Sequence, residues 1–173
     1  MIPESTPARH VAAASTTTGE LVTHGGDALD ILNGELERAQ ALADECRRFA
    51  RDVSPVHPVQ QAVDALCNLL RELSEIEEDL VYPAARAALC RPQLIDIAAL
   101  EHATARHIIH QMQTTDPCEA RYEALLVALS DCVERHAKIE QGELFPLLRG
   151  ASLDLAALGE RMCERRAEFG ATH

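Results

Sequence analysis

Apolar residues recur along this chain at alternating spacings of three and four, and short runs of Gly, Pro and Asp interrupt them. The first such stretch follows Gly25-Gly26-Asp27 and carries Leu29, Leu32, Leu36, Ala39, Ala43, Cys46 and Ala50. That spacing is the apolar seam of an amphipathic helix, and Asp27 is suited to capping its start. The seam stops before Ser54-Pro55-Val56-His57-Pro58, because a proline disfavours helical geometry in the residue before it. A second seam, Val59, Val63, Leu66, Leu70, Leu73, Glu77, Leu80 and Ala84, predicts a helix from about Pro58 to Cys90. Arg91-Pro92 separates it from a third, with Ile95, Ala98, His102, Ala105, Ile109 and Met112 in line.

Thr114-Thr115-Asp116-Pro117 makes the next break, with Pro117 suited to the first helical position. The fourth seam runs through Tyr122, Leu125, Leu129, Cys132, His136, Ile139/Glu140 and Glu143, and Gly150 marks its end. Four long helices with short connections predict an all-α, antiparallel up-down four-helix bundle over residues 25–150. A further amphipathic helix and tail over residues 151–173 would pack on its outside. Residues 1–24, rich in Ser, Thr and Ala, read as a flexible leader with too little apolar surface to offset ordering entropy.

Composition narrows the partners. Apolar residues make up 47% of the chain but aromatics only 3%, so the core must be mostly aliphatic, as helix formers such as Ala and Leu allow. A formal charge of −12 leaves no basic stripe for nucleic acid and disfavours anionic lipid. No run of about eighteen apolar residues is present to span a membrane. The N-terminus lacks a signal-peptide core, which makes a cytoplasmic protein the expectation. Six cysteines (46, 67, 90, 118, 132 and 163) are scattered singly without a CxxC pair, and read as reduced thiols, several packed as small apolar residues.

The informative positions are polar ones on apolar seams. Glu77, His102, His136 and Glu140 fall on the inner lines of three helices, where an uncompensated carboxylate or imidazole is costly. His136 and Glu140 are one turn apart and share a face. A divalent metal held between helices compensates all four at once. By contrast, His107 and His110 lie off the seam of His102, and His10, His24, His57 and His173 sit in loops and termini. Cys132, one turn before His136, offers a soft donor for zinc or copper or, more simply, a small buried residue. The cluster Glu75, Glu77, Glu78 and Asp79 reads as a solvated face with Glu77 its one inward member.

An internal repeat sharpens the pattern. Ile76-Glu-Glu-Asp-Leu-Val-Tyr-Pro83 aligns without gaps to Ile139-Glu-Gln-Gly-Glu-Leu-Phe-Pro146, and Arg86 and Arg149 match three residues further on. Each copy has a seam Glu, then an aromatic and a helix-ending Pro. Four residues before the Glu, one copy has His136 and the other Leu73.

From about Asp27 to Arg149 these segments resemble the hemerythrin-like, HHE cation-binding family. That resemblance implies a bundle with a histidine on the first helix, HxxxE on the second, a histidine on the third and HxxxE on the fourth, around two irons. By position, Glu77, His102, His136 and Glu140 match four of those ligands, while the first- and second-helix histidines fall on Leu36 and Leu73. In the family those two histidines serve one iron, so the resemblance implies a single remaining site, with non-haem Fe(II) favoured and Mn(II) or Zn(II) as alternatives. A ferritin-like centre needs Glu-x-x-His on two helices, and none is found at the required places.

Three functions follow as rival expectations. One is a mononuclear binder or sensor of a small oxidant or gas (oxygen, nitric oxide or peroxide), suited to stress response and not a high-turnover enzyme. Another is a mononuclear iron enzyme that activates oxygen or peroxide. The third is a bundle without metal, whose Glu and His residues pair with each other. A homodimer is compatible with each.

Overall fold

The computed structural model describes residues 26–51 and 56–171, so the expected 1–24 leader lies outside the described residues. The side chains of 49–59 are likewise outside it, those of Ala50, His57 and Val59 among them. Helix α1 spans Ala28–Arg51. Its cap is Asp27, whose Oδ1 accepts the backbone N–H groups of Leu29 at 2.9 Å and Asp30 at 3.1 Å.

Helix α2 (Val56–Ile76) runs without a break through a π-helical turn, Glu77–Val81, into α3 (Tyr82–Ala88). After Pro92, α4 covers Pro92–Gln113. Helix α5 (Ala120–Ile139) continues through a second π turn, Glu140–Leu144, into α6 (Phe145–Arg149), and α7 covers Leu155–Ala171.

Two expectations need correction here. Pro83 and Pro146 do not end their helices; each sits in the first turn of the segment that follows a π turn. Proline has no N–H to donate and crowds the carbonyl four residues earlier, so a straight α-ladder through it is disfavoured. One wide turn just upstream absorbs that conflict: Tyr82 N–H bonds Glu77 O, and Phe145 N–H bonds Glu140 O, each five residues apart. Pro117 does not start α5 either. It lies in a turn organised by Asp116, whose Oδ1 accepts Cys118 N–H at 2.9 Å, and the helix begins at Ala120.

Ion pairs fix the direction of the helices. Arg149 reaches Asp27 and Asp30 while Arg47 reaches Asp131 and Glu134, so the α5–α6 rod runs antiparallel to α1. Arg86–Asp96 and Arg106–Glu78 set the α2–α3 rod against α4 in the same manner. The bundle core divides along its length. One half gathers Leu29, Leu36, Leu73, Ile95 and Leu144, and the other Cys46, Leu66, Ile109, Tyr122 and Leu129. Helix α7 closes the first half with Leu158 and Met162, and Arg166 ties it to Glu35 and Glu72 at 2.8 Å each.

Cys46, Cys67 and Cys132 are buried, and burial pushes their thiols up to about 12, 11 and 12. Cys90, Cys118 and Cys163 are exposed, and none of the six is in a disulfide. Among the described residues, no helix is long and apolar enough to cross a membrane.

Candidate metal centre

The polar exceptions to the core meet where its two halves join. Along α4, His102 lies between Ala98 of the first half and Ile109 of the second. Along α5, His136 lies between Val133 and Ala137. Glu77 and Glu140 open the two π turns, and both are wholly buried. The four residues singled out by sequence therefore come to one place from three sides of the bundle.

Glu77, His102 and His136 each offer a ligand atom, and these atoms lie within 4.8 Å of one another. Glu77 Oε2 is 2.9 Å from His102 Nε2 and 3.5 Å from His136 Nε2. Glu140 adjoins the group, with its Oε2 3.4 Å from His136 Nε2. The His102 and His136 rings lie 4.6 Å apart, tilted by 42°.

Two further residues belong here, and neither stands out in the sequence. Tyr82 directs its hydroxyl into the group, donating to Glu140 Oε1 at 3.0 Å and lying 3.2 Å from Glu77 Oε2 and 3.3 Å from His102 Nε2. The π turn makes this contact, because residues five apart eclipse on such a turn and Tyr82 is the fifth after Glu77. The repeat carried a faint signal: its other copy has Phe145 at this position, so the hydroxyl is what differs. Glu78 is the other. Its Oε1 is 3.0 Å from His102 Nδ1 and accepts Arg106 at 2.7 Å, which corrects its assignment to a solvated face. His107 and His110 are exposed, as expected.

Charge balance at the junction is uneven. Burial alone would raise the Glu77 carboxyl, but hydrogen bonding to the imidazoles outweighs it and brings the group down to about 2. Burial and the Glu77 charge together push Glu140 up. His136 is held well above its ordinary value, because Glu140 and Glu77 overcome the opposing effect of burial. Burial and the two carboxylates drive the Tyr82 phenol far up, so it stays a hydrogen-bond donor.

Several buried atoms still lack a hydrogen-bond partner: Glu77 Oε1, Glu140 Oε2, and both His136 nitrogens. His102 Nδ1 faces Glu78 Oε1 at 3.0 Å, and a proton held there leaves the Nε2 lone pair facing Glu77 Oε2 at 2.9 Å. Two acceptors at that distance require a cation or a proton between them. The arrangement fits a divalent ion held by nitrogen and oxygen donors.

Leu36 and Leu73, the positions on which the resemblance implied two further histidines, are packed into the core. They are 1% and 4% exposed, and both face the same cavity as His102 and His136. That cavity measures about 20 Å³, room for a water or a diatomic molecule.

The hemerythrin HHE cation-binding domain model matches residues 26–148. This chain belongs to that family. A crystal structure of a hemerythrin HHE cation-binding domain-containing protein from Mycobacterium kansasii superposes with a TM-score of 0.71 at 24% identity. The match covers 85% of this chain and 89% of that one, and it shows the shared fold. A comparison with curated proteins returns no match. This HHE bundle thus has a buried Glu/His/His group that can hold a metal.

In metal sites of this kind, the carboxylate that fixes a ligand histidine contributes about 10–100-fold in affinity. Glu78→Gln should therefore weaken metal binding by about that factor while leaving the thermal unfolding of the metal-free protein nearly unchanged. A competition titration with a chromophoric chelator measures it.

Proposed function

We propose that this HHE protein binds one divalent metal, Fe(II) in preference to Mn(II) or Zn(II), through Glu77, His102, His136 and Glu140, and that it binds or senses a small oxidant or gas there. The observation that carries the reading is the set of buried atoms on Glu77, Glu140 and His136 that have no hydrogen-bond partner. Native cores rarely leave such atoms unpaired, and one cation satisfies all three residues.

Bound Fe(II) with open positions supplies an electron-rich centre for oxygen, nitric oxide or peroxide. The chain supplies the surroundings. Glu78 orients His102, Tyr82 donates to Glu140, and Leu36, Leu73 and Val133 give the adjoining space an apolar wall. A cavity of this size favours a diatomic ligand over an organic substrate, so binding or sensing is preferred to an oxygenase reaction.

A metal-free bundle is the second reading, and one observation favours it. His102 already sits 2.9 Å from Glu77, close enough for the pair to satisfy each other if the imidazole is charged. The unpartnered Glu77 Oε1 weighs against it.

Metal titration at different pH values separates the two. His136 is raised above its ordinary value, so in the metal-free protein it holds a proton that a metal must displace. Affinity for Zn(II) should rise with pH until that raised value is passed, and calorimetry in buffers of different ionisation enthalpy should show proton release. Binding with no proton release would contradict the assignment of His136 as a ligand, and no binding at all would leave the metal-free reading.

A further inference from the structure

The cavity against His102 and His136 does not end in the core. Its walls at Arg71 and Ile109 are also walls of a larger pocket, about 380 Å³, which opens between α2 and α4. Besides the shared pair, the lining of that outer pocket includes Gln60, Val63, Asp64, Asn68, Met112 and Tyr122. The seam between α2 and α4 is sparse, whereas α4 and α5 pack closely along their length. Two pockets on either side of one pair of side chains, in the loosest seam of the bundle, describe a path.

We propose that the outer pocket is the entrance to the metal position, with Arg71 and Ile109 as its gate. This rests on the reading of the junction as a metal site. Ile109 is buried and plugs the path from α4. Arg71 is half-buried on α2, and its Nη1 donates to Asn68 Oδ1 at 2.8 Å, a neighbour one turn back. Such a local, water-exposed bond is exchanged readily for water, so the guanidinium can swing out without disturbing the fold.

The gate also selects. Beyond it the exposed wall is mostly apolar, from Leu36, Leu70, Leu73 and Val133, with Ser74, Glu101 and Arg106 also in the lining. An uncharged diatomic molecule loses little on entering such a space, whereas an anion gives up part of its hydration to pass it. The ligand class is therefore small and neutral, oxygen or nitric oxide.

The test has one arm that needs no metal. In metal-free protein under oxygen pressure, paramagnetic relaxation of methyl signals maps where dissolved oxygen resides. Enhancement should reach Leu36 and Leu73 as well as Val63 and Met112, and Ile109→Phe should reduce it at the two leucines alone. No enhancement at Leu36 and Leu73 in the unmodified protein overturns the entrance, whatever the metal content.

The second arm uses Fe(II)-loaded protein and nitric oxide in stopped flow. Arg71→Ala should speed association and Ile109→Phe should slow it, each by about tenfold, with dissociation changing by the same factor and Kd unchanged. Arg71 is partly exposed, so its variant keeps the test alive if Ile109→Phe does not fold. Association unchanged in Arg71→Ala, or a shift in Kd carried by dissociation alone, would overturn the gate. Failure of the protein to load metal would sink the function proposed above while leaving the oxygen map to decide the entrance.

Discussion

His136→Ala should yield a bundle that takes up no metal and, without metal, unfolds about 3–5 kcal/mol more easily than the parent. Glu77 and Glu140 are wholly buried, and His136 is one of the few groups that offset their charge. Removing it leaves two buried carboxylates with only His102 and Tyr82 to offset them. The effect has a pH signature. His136 is raised in the folded state, so its stabilisation is fully present below its unfolded value of about 6.5 and is lost as pH rises through the raised value. The penalty of the variant should therefore be largest in mild acid and shrink in alkali.

Glu77 works in the opposite sense. Its folded value is depressed, so its stabilisation is present above the unfolded value of about 4.3 and lost as pH falls toward about 2. Denaturant unfolding of the metal-free protein, carried from strong acid (about pH 2) to mild alkali, checks both directions. A penalty for His136→Ala that grows with pH would contradict the charge assignment.

The second large effect concerns the leucines. Leu36→His combined with Leu73→His should raise metal content from one to two per chain, because those positions line the same cavity as His102 and His136. Without metal the double variant should lose about 3–6 kcal/mol, since two fully buried leucines give up their burial and two imidazoles take their place. Excess Fe(II) or Zn(II) should restore much of that loss, as binding to the folded state alone must. Thermal unfolding with and without metal measures it. A double variant that still binds one metal would mean that the leucines do not stand where the family's histidines do.

How much of this was legible in the sequence can be followed residue by residue. The seams of α1, α4 and α5 read correctly, because a three-four spacing is what a straight α-helix buries, and Glu77, His102, His136 and Glu140 stood out as polar residues on that spacing. The π turns were not legible. A periodicity of 3.6 leaves no room for an extra residue, so Pro83 and Pro146 looked like helix ends when they mark places where the helix widens and goes on. Tyr82 and Glu78 were missed for the same reason. Both belong to the rod around that widened turn, where α-helical spacing misjudges which side chains face inward. Tyr82 consequently passed for part of a helix-ending motif, and Glu78 for a neighbour on the wet face. The capacity of the group for a cation was readable from residue types, whereas its second layer of support depended on the local geometry.

The central claim is a single metal at the join of the two core halves, and elemental analysis tests it most directly. The full chain would be purified without chelator, loaded anaerobically with Fe(II), freed of excess and measured against protein concentration. One metal per chain is the predicted result. No metal would contradict the claim and leave a bundle whose buried Glu and His residues satisfy one another, and two would show that Leu36 and Leu73 do not close the second position.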